Sequence, residues 1–192
     1  NAGLTEWPVP LLGSFDPDFL DVPEEVIQLS ARTNQKYFVM RDGGGRLAPH
    51  FVCIANIAAN DGGEAITAGN ERVLEGWLAD AHFTFERDVA KGIEVLSAEL
   101  GAITFVAGAG SFADKAERLQ ALVREQGGGE ASVEAARLAK ADQAAELVRE
   151  FPDLEGHIGA EYARLAGFPE GVCAAIEEHY LPDSAEGPLP HT

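Results

Sequence analysis

Apolar residues recur at helical spacing through 69–88, where Val73, Leu74, Trp77, Leu78 and Ala81 follow Asn70 and leave Glu71, Arg72, Glu75 and Asp80 outside the stripe. The pattern predicts an amphipathic helix capped by Asn70. Phe85, Val89, Ile93, Leu96 and Leu100 carry a second stripe out of the first, so one long, hinged helical connection is expected. Upstream, Trp7, Val9 and Leu11 alternate like a strand, but Pro8 and Pro10 remove two backbone donors and confine it to a sheet edge. Residues 36–41 and 51–57 are rich in aromatic and branched side chains, with Asp42-Gly43-Gly44-Gly45 between them. They predict a hairpin in a mixed sheet with flanking helices. Pro23, Glu24 and Glu25 suit the first turn of a short helix.

The second half reads as helical. Ser111 and Asp114 form a capping box, and Phe112, Ala116, Leu119 and Val123 make the stripe behind it, with Asp114 placed to pair with Arg118. Gly127-Gly128-Gly129 stops that helix. An Ala-rich helix follows over 134–150, ended by Phe151-Pro152, and two more over 155–166 and 170–180. The Gly108 to Gly110 loop sets the expected domain boundary. The fold class is α+β: a mixed α/β module over 1–108, an all-helical domain over 109–183, and a linker-like tail over 184–192.

Fourteen basic against thirty-two acidic side chains give a formal charge of −18, which opposes long-range attraction to nucleic acid or an anionic membrane. Residues 1–100 hold seven basic and sixteen acidic groups, and the remainder holds the same. Any nucleic-acid contact therefore needs a local patch. Cys53 and Cys173 are far apart without a C-x-x-C, which suggests buried thiols in a reducing cytoplasm instead of a disulfide or a thiolate zinc site. No apolar run has membrane-spanning length.

Gly43-Gly44-Gly45 lacks the phosphate-loop form, and Gly108-x-Gly110-x-x-Ala113 leads to two helices instead of a second strand, so both read as turns. No Ser/His/Asp or Cys/His pairing follows from spacing, and no residue is assigned a catalytic role. His50, His82, His157 and His191 are dispersed.

Several segments occur in one order and at one spacing: Glu6-Trp7-Pro8-Val9, Gln35-Lys36-Tyr37-Phe38, Ala55-Asn56-Ile57, GNERVL from Gly69, LADA from Leu78, Asp114-Lys115 with Glu117-Arg118, Ala139-Lys140-Ala141-Asp142, Glu150-Phe151-Pro152, and Ala175 through Pro182. Together they resemble the beta subunit of the bacterial heterotetrameric glycyl-tRNA synthetase. The resemblance implies an internal piece of a longer subunit, with its first module related to a phenylalanyl-tRNA synthetase beta-chain domain and its second to HD domains. It implies partners as well: the alpha subunit, the remaining beta domains and tRNA(Gly). ATP with Mg is implied for the alpha subunit's adenylate chemistry, with no cofactor in this segment.

Active HD domains hold metal through a His, a His-Asp dipeptide and a later Asp. This chain has no His-Asp dipeptide; the corresponding stretch reads Leu138-Ala139-Lys140-Ala141-Asp142. A lysine ammonium cannot ligate a cation, so no metal site is expected. His179 matches a later histidine of that family and is expected to be a partly exposed structural residue. Recognition and scaffolding remain, with Lys36, Arg72, Lys115, Arg118 and Lys140 as candidate tRNA contacts on the matching motifs. Tyr37, Phe38, Trp77 and Phe83 are expected in the core ahead of base stacking. Glu75-Gly76-Trp77 stands where the family usually has arginines, which weakens the tRNA reading more than the fold. The rival is a structural or interaction module without tRNA contact.

Overall fold

Pro8 and Pro10 leave the start of the chain poorly equipped for a central strand. In the computed structural model, which describes residues 5–191, β1 (Val9–Ser14) lies at the edge of a three-stranded sheet of order β1-β3-β2. Thr192, at the end of the expected tail, lies outside the described residues. The chain forms two compact units, Asn1–Phe83 and Thr84–Thr192.

In the first unit, β2 (Phe38–Arg41) returns through a Gly-rich turn to β3 (Leu47–Ala55). The turn is held by the Asp42 carboxylate, which accepts from the Gly44 and Arg46 amides at 2.8 and 3.0 Å. Both strand pairings are antiparallel, with Leu11 opposite Cys53 and Val39 opposite Phe51. The sheet is thus wholly antiparallel, correcting the expected mixed one. Leu11, Phe51 and Cys53 point to the core, while the row Leu12, Val52 and Phe38 crosses the opposite face, with Leu12 62% and Phe38 50% exposed. The short helix α1 (Glu24–Leu29) buries Val26 and Ile27.

The long helix α2 (Glu64–Lys91) starts before Asn70. Asp61 is its cap: its carboxylate accepts from the Gly63 and Ala65 amides at 2.9 and 3.0 Å. Asn70 is committed elsewhere, donating to the Ile66 carbonyl and accepting from the Tyr37 hydroxyl at 2.5 Å. Tyr37 stacks on Phe51, with ring centroids 4.7 Å apart. Of the four aromatics expected in the core, only Tyr37 is buried; Phe38, Trp77 and Phe83 are exposed. The buried stripe of α2 runs through Leu74, Leu78, Ala81, Phe85 and Asp88, which leaves Val73 and Trp77 at its edge.

The division between units falls inside α2, whereas the sequence expectation sits at 108–109. His82 meets the Phe19 ring edge-on in the first unit, while Phe85 lies against Tyr162 in the second. Gly92, with φ 81°, ends α2 and admits the turn into α3 (Ile93–Glu99). A small hairpin, β4 (Thr104–Val106) with β5 (Gly110–Ser111), interrupts the expected all-helical half; its turn runs through Ala107, Gly108 and Ala109. The capping box at Ser111 and Asp114 forms as the sequence predicts and opens α4 (Phe112–Glu125).

The helix expected over 134–150 is broken. It resolves into α5 (Glu130–Leu138), a tight turn at Ala141–Ala144 and α6 (Glu146–Glu150). Asp88 explains the second start. Its buried carboxylate accepts from the Glu146 and Leu147 amides at 3.0 and 2.9 Å and from the Tyr162 hydroxyl at 3.1 Å. A side chain from α2 therefore supplies the N-terminal cap that Ala145 cannot. α7 (His157–Leu165) and α8 (Glu170–Glu178) complete the unit, packing on each other, with α5 against α8. Arg137 ties α5 to α3, its guanidinium donating to Glu134 and Glu94.

Asp88→Ala leaves the part-buried Glu146 amide, the buried Leu147 amide and the buried Tyr162 hydroxyl without their acceptor, at a cost of about 3 kcal/mol. Hydrogen exchange checks this: the Glu146 and Leu147 amides should lose protection first, and Tyr162→Phe should cost only about 1 kcal/mol.

Candidate functional site

α4, α5 and α8 leave a groove between them that is lined largely by small residues. Ala131, Ala135, Ala136, Ala139, Gly171 and Ala175 line this groove of about 730 Å³ in the second unit, with Leu119 and Val123 contributed by α4. Its lining is apolar except for Ser132 and a group formed by Lys115, Lys140, His179 and Tyr180.

Lys140 stands where α5 gives way to the turn at Ala141–Ala144 and is only 4% exposed. Its Nζ lies 2.6 Å from His179 Nε2 and 3.6 Å from the centre of the Tyr180 ring. The other ring nitrogen, Nδ1, faces the Ile176 carbonyl. A carbonyl has no proton to give, so Nδ1 carries the hydrogen and Nε2 presents its lone pair to the lysine. Burial, reinforced by the nearby Lys115 ammonium, pushes the Lys140 amine down to about 8. Burial, and then the Lys140 charge, pushes His179 down to about 4.

Asp142, two residues on, is fully buried. Its Oδ2 accepts from the Gly156 amide at 2.6 Å, while among the described residues its Oδ1 has no hydrogen-bond partner. Burial outweighs the favourable amide and the Lys140 charge and lifts Asp142 to about 6. Gly156 permits the contact: its φ is 78°, and a Cβ there would stand 3.0 Å from the Glu177 carbonyl oxygen.

The other sequence candidates are distributed. Lys115 lies over the Phe105 ring, 3.9 Å from its centre, and shares the groove with Lys140. Arg118 is exposed one turn along α4 and helps to hold Asp114 below the usual carboxylate range, after the stronger Ser111 hydrogen bonds. Lys36 and Arg72 belong to the first unit. Lys36 is exposed, has φ 59° and donates to the Thr33 carbonyl at 2.8 Å. Arg72 is exposed beside Glu71, whose carboxylate accepts from the Ser14 amide and hydroxyl. Sequence reasoning missed the Lys140–His179–Tyr180 association. The available signal was a lysine set between Ala139 and Ala141 with Leu138 before it, which is the setting of a buried ammonium.

Among the described residues, no three His, Cys, Asp or Glu side chains gather in a way that would hold a metal ion. No helix among them is long and apolar enough to cross a membrane. Cys53 and Cys173 are both buried, as their settings predict.

The family model described as glycyl-tRNA synthetase beta subunit matches residues 1–192. The chain belongs to the glycyl-tRNA synthetase beta subunit family. It is 44% identical to the glycine–tRNA ligase beta subunit of Phenylobacterium zucineum over 98% of this chain and 30% of that protein. It is 43% identical to that of Ectopseudomonas mendocina over 100% of this chain and 28% of the relative, and 43% identical to that of Rhodospirillum centenum over 94% and 26%. The chain thus spans less than a third of the length of these glycyl-tRNA synthetase beta subunits.

The buried cluster gives opposed pH dependences. Asp142, raised to about 6 from 3.8, contributes stability that is present below 3.8 and lost as pH rises through 6. His179, lowered to about 4 from 6.5, contributes stability that is present above 6.5 and lost as pH falls through 4. Between pH 6.5 and 4 the stability advantage of the parent over Asp142→Asn should therefore grow, and its advantage over His179→Gln should shrink. Each change is on the order of 2 kcal/mol. Urea unfolding across that range measures both, and slopes of the same sign would refute the assignment.

Proposed function

We propose that this segment positions tRNA(Gly) and supports subunit assembly in a glycine–tRNA ligase. The observation carrying the reading is local positive charge on an acidic chain: Lys115 lines the groove and Arg118 is exposed one turn along the same helix, whereas Lys140, 4% exposed, is too buried to meet a phosphate directly. Such cations meet phosphates as point charges or forks and fix the register of a nucleic acid without reading its bases. Lys36 and Arg72, both exposed, supply further contacts from the first unit. On this reading the helical unit is a metal-free relative of HD domains, and the first unit is related to a phenylalanyl-tRNA synthetase beta-chain module.

Adenylate chemistry with ATP and Mg belongs to the separate alpha subunit, in a cytoplasmic heterotetramer. No residue of this segment touches the reacting atoms. A second reading, a structural module without tRNA contact, is favoured by the apolar row Leu12, Val52 and Phe38, exposed at Leu12 and Phe38 and half-buried at Val52, which suits packing against another protein surface.

The test is Lys115→Glu with Arg118→Glu in the full-length beta subunit, assembled with its alpha subunit. Affinity for tRNA should fall about tenfold at low salt and its salt dependence should flatten by about two phosphate contacts, while glycyl-adenylate forms at the parent rate. Unchanged tRNA affinity with weakened assembly would establish the second reading instead.

A further inference from the structure

We propose that Lys140 is a lysine acylation site, at which its amine takes the acyl group of a small acyl phosphate admitted through the groove, with His179 accepting the proton. Three features of the groove carry this. Lys140 is 4% exposed yet lines the groove, so the groove is the path to its Nζ. The Nε2 lone pair of His179 is aimed at that Nζ from 2.6 Å, because the Ile176 carbonyl fixes the tautomer. That is the arrangement of a nucleophile beside its base. The lining also matches the reagent: Ala135, Ala139 and Ala175 leave room for a short alkyl chain, and Lys115 provides a counter-charge for the phosphoryl group.

The step balances without an oxidant or reductant. The Nζ lone pair attacks the carbonyl carbon and forms the amide C–N bond, and the C–O bond to phosphate breaks. The proton leaving nitrogen passes through His179 Nε2 to the departing phosphate, which is released as hydrogen phosphate. His179 is pushed down to about 4 by burial and keeps no proton at neutral pH, so it relays and does not retain. The amine is available near neutral pH because burial and Lys115 depress it to about 8 against the opposing pull of Asp142 and Glu155. His179 and Tyr180 complete the groups facing it.

The experiment treats the full-length beta subunit with acetyl phosphate between pH 6.5 and 9.5 and measures acetylation of each lysine by peptide mass spectrometry. Lys140 should react about tenfold faster than the exposed Lys36 at pH 8, with its rate levelling just above that pH. His179→Gln should slow Lys140 several-fold and displace its pH profile. Ala131→Trp, at the exposed lip of the groove, should slow Lys140 and leave Lys36 unchanged. Lys140 reacting no faster than Lys36, or a Lys140 rate indifferent to both variants, overturns the proposal.

Discussion

One buried carboxylate organises the second unit. Asp88 sits near the end of α2 and accepts from two amides of α6 and from the Tyr162 hydroxyl of α7. An unpartnered carboxyl group in that position would be unfavourable, and here it meets three donors that would themselves be unsatisfied without it. The consequence reaches the groove. By capping α6, Asp88 offers the chain a new helix start at Glu146, so α5 can stop at Leu138 and the intervening turn can place Lys140 and Asp142 inward. Through a continuous α-helix the same residues would follow the helical period and could not occupy these positions.

The chain is strongly acidic, and several of its carboxylates are engaged away from the groove. Glu94 and Glu134 hold Arg137, Glu170 and Glu177 hold Arg164, and Asp114 serves the Ser111 cap. Exposed ion pairs of this kind add little stability each, but they fix where charge is spent. Lys115 instead lies over an aromatic face, while Lys140 faces an imidazole and a phenol ring and is pushed toward its neutral form by burial.

The sequence showed elements whose signals are local. Pro8 and Pro10 marked β1 as an edge strand, the Gly-rich turn marked the β2–β3 hairpin, and the Ser111–Asp114 box opened α4 where expected. Errors arose where a distant side chain decided. Asn70 has the chemistry of a cap, but Tyr37 claims it, and Asp61 caps α2 earlier. The Ala-rich run over 134–150 has the propensity of one helix, and Asp88, far upstream, divides it. His179 is half-buried, in line with the partly exposed residue expected, but its pairing with Lys140 was not legible because the two stand 39 residues apart. The five candidate cations were legible as residue types; that two of them share a groove was not, since it depends on where α5 breaks.

Lys140, Asp142 and His179 are a costly set to bury. Each is displaced toward its neutral form, with the lysine amine brought down, the carboxyl brought up and the imidazole left unprotonated. Among the described residues, Oδ1 of Asp142 has no hydrogen-bond partner. Apolar side chains of similar volume would pack there with less desolvation, so stability alone gives a weak account of the cluster. The same desolvation that disfavours the charges leaves an amine with an available lone pair beside an imidazole that can take its proton. The cost and the chemical capability therefore have one physical origin, and a substitution that relieved the first, such as Lys140→Met, would remove the second.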